Sequence, residues 1–377
     1  MVRARGRAQS VVSISATAER LTEPLDACRR LALRWLVHSK FMRATLSHRD
    51  RRIASVACLN VTVAALGAIY LPMLLFTLGP VLLGVAHLAS DVRYLVLRRN
   101  LARWWQNVVW LGCLALLGLR VLEELRVLHD AARLELGLAA TLVAVAIAAA
   151  LRERGRTARA ALGLTLLFAA TVLSFRYPSA SRLVFLHLHN VVALAAWGLL
   201  FRAKKRWLVA PFSLIAVVTA LLASGALYRQ TLHSPFVASF HLHTLAVADW
   251  VAPFADLRTA VGVTSLYVFL QAVHYSAWLN WIPQEEQPRR GTPTYRMSVR
   301  ALFADLGPRG VLATSLAVAA VLLGACFELQ RTRALYLSLA TFHGYVELAL
   351  LVFFWVRGAG LTNEPVAAPH PGAPALG

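Results

Sequence analysis

Residues 79–98 read GPVLLGVAHLASDVRYLVLR. The stretch is apolar enough to sit in a membrane, yet it carries His87 and Asp91 four residues apart. On a helix that spacing stacks two side chains on one face, with Cβ atoms roughly 5–6 Å apart. Ionisable groups at bilayer depth are costly and so face a cavity, a partner or a metal. The device recurs near the end of the chain in LATFHGYVELALLVFFW, residues 339–355, with His343 and Glu347 again four apart. Between them His187, His189, His241, His243 and His274 each lie in or beside an apolar segment. The pattern predicts an all-α, polytopic membrane helix bundle built around a buried histidine and carboxylate site.

Composition agrees. The 377 residues are 58% hydrophobic and 15% charged, against about 45–50% and 25% in soluble domains. Mean hydropathy is +0.60. The formal net charge is +21, but the arginines cluster in short loops between apolar runs, as bilayer topology demands. No aromatic-interleaved basic surface points to nucleic acid. Lysine occurs only at Lys40, Lys204 and Lys205, outside the apolar runs, which excludes a buried retinal Schiff base. Cys28, Cys58, Cys113 and Cys326 stand singly, so no CxxC redox or zinc motif exists.

Residues 1–52 read as a basic cytoplasmic segment, with an interfacial helix over 26–47 where Arg and Lys alternate with Leu, Trp and Phe. The transmembrane region covers 53–357 and the Pro/Ala/Gly-rich tail 358–377 reads as disordered. The apolar run 53–97 is too long for one crossing of about 20 residues and divides near Pro80. The spans fall near 54–77, 80–97, 105–122, 136–151, 158–175, 183–201, 207–228, 260–282, 310–327 and 335–356, about ten in all. Arginine-rich loops alternate regularly with poorer ones, which places both termini in the cytoplasm and the protein in the cell (inner) membrane. That alternation holds only if 236–254 does not cross, so this segment is expected to be re-entrant or interfacial.

On this topology the second, sixth, eighth and tenth spans run in one direction and carry His87/Asp91, His187/His189, His274 and His343/Glu347. The odd-numbered spans carry no histidine. Imidazole with carboxylate suits Fe, Zn, Mn or Cu, and with open positions particularly non-haem Fe(II). The candidate ligands are His87, Asp91, His187, His189, His241, His243, His274, His343 and Glu347, with Asn190, Tyr275 and Asp249 as groups that orient them. They outnumber what one ion needs, so the site is dinuclear or part of the set is supporting. In each His-Leu-His pair the two imidazoles point about 200° apart and do not both ligate one ion.

The octet GVAHLASD, residues 84–91, resembles the G-L-P-H-G-A-L-D motif of the bacterial and archaeal β-carotene 15,15′-dioxygenases, the bacteriorhodopsin-related family. Gly84, His87, Ala89 and Asp91 are shared. The resemblance implies a multi-span enzyme with histidine and acidic iron ligands, His87 among them. Ala86 and Leu88 depart from the family's Pro and Gly, and its paired late histidines would correspond to His343 and Glu347.

No HExxH, histidine-box desaturase set, P-loop or GxGxxG is present. The reading that follows is a metal-dependent, Fe(II)-using oxygenase acting on an apolar lipid or isoprenoid, such as a carotenoid, taken from the bilayer. Another transition metal would fit the same ligands. The alternatives are a b-type haem electron carrier ligated by His87 and His343, a proton- or metal-coupled transporter, and a membrane acyltransferase with a buried histidine.

Overall fold

The computed structural model describes residue 20 and residues 22–358, apart from 130, 202–204, 254 and 287–293. The expectations for 1–19 and for the tail from 359 onward lie outside those residues.

Prolines and polar loops punctuate the helices. Two short helices, α1 (Glu23–Leu36) and α2 (Lys40–Ser47), leave Leu31, Trp35 and Phe41 exposed. α3 (Arg49–Tyr70) ends at Leu71, and Pro72 opens α4 (Pro72–Asp91), which runs on as a π-helical turn over Val92–Leu97. The division expected near Pro80 therefore falls at Pro72, and Pro80 sits inside α4. A proline at the first helical position loses no bond, whereas one in mid-helix frees a carbonyl that a neighbour must satisfy. α5 (Arg103–Glu124), α6 (Ala132–Arg152) and α7 (Thr157–Arg176) follow. Pro178 then starts α8 (Pro178–Ala196), which also passes into a π turn, Trp197–Phe201. After α9 (Val209–Ala223) and α10 (Tyr228–Leu232) comes a two-residue hairpin, β1 (Ala238–Ser239) against β2 (Leu242–His243). The short α11 (Thr244–Val251) leads into α12 (Leu257–Ser276), which continues as a third π turn, Ala277–Trp281, and α13 (Ile282–Glu285). The last helical run, α14 (Tyr295–Arg357), is broken at Gly307 (φ 67°) and Glu328 (φ −138°, ψ 81°), giving lengths 295–306, 308–327 and 329–357.

Eight of these helices are long and apolar enough to cross a bilayer. α12 is not among them, because Thr264, Ser265, Gln271 and His274 lower its hydropathy. Those residues are all buried: α12 packs against α3, α4, α8, α9 and α11, and so meets protein rather than lipid along most of its length. α14 packs along α4, α5, α6 and α8.

One end of the bundle holds the aromatic core, with Trp105, Trp197, Trp278, Trp281, Phe353 and Phe354 fully buried. The same end is bound by arginines: Arg99 pairs with Glu286 at 2.8 Å with both side chains buried, Arg93 and Arg98 meet Asp305, and Arg357 meets Glu153 at 3.2 Å. At the opposite end Arg120 and Arg182 both bind Glu123 and the buried Glu135.

Candidate metal centre

Four helices bring their ionisable residues to one point. α4 supplies His87 and Asp91, α8 His189, α12 His274, and α14 His343 and Glu347. His87 Nε2 lies 3.0 Å from His343 Nε2, and His189 Nε2 lies 2.9 Å from the same atom. The His274 ring stands 4.5 Å from that of His189 and 5.3 Å from that of His87, so the four imidazoles close a ring. The carboxylates sit one turn further along α4 and α14, with Glu347 Oε1 3.8 Å from His274 Nε2. Three overlapping groups, His87/His274/His343, His189/His274/Glu347 and Asp91/His343/Glu347, each place one ligand atom per residue within 4.8 Å of the others.

Backbone details hold the rings in place. His343 Nδ1 faces the Ala340 carbonyl in its own helix; donating there leaves Nε2 as the bare nitrogen turned to the cluster. Gly344 makes room for His189: a Cβ at 344 would stand 2.8 Å from His189 Cδ2. Gly84, one turn before His87, makes room for Tyr336, whose phenol would clash with a Cβ there. Pro283 has no N–H to return to Trp278 across the π turn, and Ser90 Oγ donates to the Trp278 carbonyl instead, at 2.6 Å.

The fit to a cation rests on two observations. Ligand atoms held about 2.0–2.1 Å from an ion and about 90° apart stand about 3 Å from each other, which is the spacing of His343 Nε2 from His87 Nε2 and, separately, from His189 Nε2. Second, the carboxylates of Asp91 and Glu347 are buried facing each other, with only the Trp278 indole and the His274 imidazole beside Glu347 and no cationic side chain paired to either among the described residues. Buried carboxylates without compensation are strongly unfavourable. The chemistry of the set, four imidazoles and two carboxylates, suits a first-row transition metal.

A cavity of about 610 Å³ opens beside the cluster and is reached by His87, His189 and His343. Its walls include Phe76, Leu186, Val247, Tyr267 and Tyr275, and it extends to Arg120, Arg182 and Arg333 at the end away from the tryptophans. On the other side of the cluster Asp91, His343 and Glu347 border a space of about 20 Å³ with Cys113 and Trp110.

The remaining candidates lie elsewhere. His187 points about 200° away from His189, as spacing of two along a helix requires; its Nε2 meets the Val251 carbonyl at 3.3 Å and its ring packs edge-on to Tyr267. It joins α11 to α8 rather than entering the cluster. His241 and His243 are exposed on the hairpin, where side chains alternate and only Leu242 between them turns to the cavity. Phe240 and His241 both take positive φ, 54° and 62°, in the two-residue turn. His243 Nδ1 accepts from Leu245 N as the cap of α11. These two histidines are thus hairpin residues, and Asp249 is exposed too. Tyr275 packs 4.7 Å from the His87 ring, and Asn190 is buried on the cavity wall.

Sequence reasoning missed Arg333 and Tyr336. Arg333 reads as one more charge in a loop at a span boundary, but the helix begins earlier and buries it. The available signal was Pro80, which announces an orphan carbonyl at Phe76 and hence a donor somewhere in the bundle.

Compared with protein-family models, curated proteins and solved structures, the chain matches none of them.

Proposed function

We propose that this chain is an integral membrane oxidoreductase whose non-haem iron centre is held by His87, Asp91, His189, His274, His343 and Glu347, and which acts on a lipid or isoprenoid chain. The observation that carries the reading is the convergence of these six groups, five buried and His189 half-buried, from four helices beside an apolar cavity of about 610 Å³. A cavity of that size takes a ligand of about drug size or a folded or partial hydrocarbon chain. Six ligands are enough for two ions. Iron bound there supplies redox chemistry with dioxygen. The chain's own part is to exclude water with Phe76, Leu186 and Val247, to orient the imidazoles through Gly344 and the Ala340 carbonyl, and to position substrate against Tyr275. The space of about 20 Å³ beside the carboxylates has room for one molecule the size of water or dioxygen.

The same reading gives ten crossings, counting α12 and the two lengths 308–327 and 329–357 separately, with the arginine-rich end and both termini in the cytoplasm. The likeness of residues 84–91 to the carotene dioxygenases accords with it. A haem between His87 and His343 is disfavoured, because their Nε2 atoms are 3.0 Å apart and leave no room for a porphyrin.

The test is elemental analysis with an optical spectrum of the detergent-purified protein and of a His87→Ala/His343→Ala double variant. Near-stoichiometric iron without a Soret band, lost in the double variant, is the expected result. A wild-type protein free of metal would overturn the proposal and turn attention to transport.

A further inference from the structure

Pro80 has no N–H, so the carbonyl of Phe76 loses its donor one turn along α4. Arg333 replaces it: its Nε donates to Phe76 O at 2.8 Å, and its guanidinium lies 3.6 Å over the Phe76 ring. That bond explains one nitrogen. Arg333 is only 7% exposed, its Nη2 is buried without a partner, and it lines the cavity. The other cavity arginines, Arg120 and Arg182, are neutralised by Glu123 and Glu135. No carboxylate pairs with Arg333 among the described residues. One turn further on, Tyr336 also lines the cavity, with its phenol against Gly84 on the side of the cluster. A neutral donor would have satisfied the Phe76 carbonyl. A dehydrated cation left without a counter-charge is costly, and the cost is offset when an anion completes it.

We infer that the cavity is a site for a long-chain carboxylate, its head held by Arg333 and its hydrocarbon chain running along α14 past Tyr336 toward His343. One cation balances one charge, which favours a carboxylate over a doubly charged phosphate ester. With Nε committed to Phe76, the guanidinium still has terminal N–H groups to offer a carboxylate. Arg333 and His343 are ten residues apart, about 15 Å along the helix, so the carboxylate stands far from the metal-binding groups and the chain, not the head, reaches them. The last clause rests on the membrane-oxidoreductase reading; the binding of the carboxylate does not.

Arg333→Met alone would orphan the Phe76 carbonyl and destabilise the fold. Pro80→Ala restores the N–H that reaches Phe76, so Pro80→Ala/Arg333→Met removes the charge while keeping that carbonyl bonded. The experiment is equilibrium binding of labelled palmitate, methyl palmitate and hexadecyl phosphate to the full-length wild type, Pro80→Ala and the double variant in nanodiscs, with metal content read on the same samples. Wild type and Pro80→Ala are expected to bind palmitate saturably and in preference to the other two probes. The double variant should bind it about 10- to 100-fold more weakly, the loss of a charged hydrogen bond, with its metal content unchanged. Equal palmitate binding by Pro80→Ala and the double variant, or binding of the methyl ester or the phosphate as tight as that of palmitate, would overturn the inference. Saturable palmitate binding by a metal-free wild type, lost in the double variant, would uphold the carboxylate site and overturn the iron centre instead.

Discussion

Gly344 and His189 are in contact across the α8–α14 boundary: a methyl group at 344 would lie 2.8 Å from His189 Cδ2 and 3.2 Å from the Phe185 ring. Neither ring can retreat freely, because Phe185 is stacked on Tyr345 at 4.1 Å and His189 is packed against His343 and His274. Gly344→Ala should therefore displace the His189 imidazole and lower the metal-to-protein ratio, with helical circular dichroism unchanged. Gly118→Ala is the control. A Cβ there meets nothing within 4 Å, so this change should leave metal content alone and stabilise by about 0.4–1 kcal/mol through the unfolded state.

Single-histidine variants should sort by position. On the proposed iron reading, His343→Ala, which removes the imidazole shared by His87 and His189, should abolish metal binding. His187→Ala, His241→Ala and His243→Ala should each retain it, since none of the three faces the cluster. Iron lost from the hairpin variants would mean that the hairpin moves inward.

Tyr336 and Gly84 should be energetically coupled. Gly84→Ala drives a methyl group into the phenol, an overpacking that typically costs about 1–3 kcal/mol, so that loss is expected in thermal unfolding. Tyr336→Leu should relieve most of it. A double-mutant cycle with an interaction energy under about 0.5 kcal/mol would show the two residues to be independent.

Acid should detach the first helix. Burial opposes charge on Asp26, but the N–H groups of Tyr295 and Arg296, with Arg29 and Arg30 nearby, outweigh it and hold its carboxyl below the usual range. Both N–H groups donate to it, at 2.8 and 3.2 Å, and fix α1 to the start of α14. A folded-state value below the unfolded one means that docking is fully favoured above the unfolded value, about 3.9, and is lost as pH falls through the folded one. A spin label on the exposed Cys28 should stay immobilised at pH 5 and become mobile only below the ordinary carboxylate range, while Asp26→Ala should mobilise it at every pH.

The helical membrane class is readable from hydropathy, and the His-x-x-x-acid pairs are readable from the helical period, because both depend on neighbours along the chain. What hydropathy misjudges depends on neighbours in space. Pro80 looks like a boundary until Arg333 is found to satisfy the carbonyl that it frees. His241 and His243 look like His187 and His189, since both pairs are His-Leu-His in apolar context, but one string forms a hairpin and the other a helix. α12 looks like an ordinary span, whereas its polar residues are matched to protein on most sides. Within His187–His189 the period sets the two rings apart, and only packing decides that His189 faces inward.

The three π turns have a consequence for the length of the chain between its landmarks. Each follows a cluster histidine, at Val92–Leu97, Trp197–Phe201 and Ala277–Trp281. A π turn accommodates one residue more than an α turn, which shifts everything beyond it by about 100° around the axis. Deleting one residue between a histidine and the buried aromatic that follows it in the turn (Tyr94, Trp197, Trp278 or Trp281) would leave the histidine where it is and swing that aromatic outward. The interval between histidine and aromatic is thus under tighter constraint than the identity of the residues that fill it.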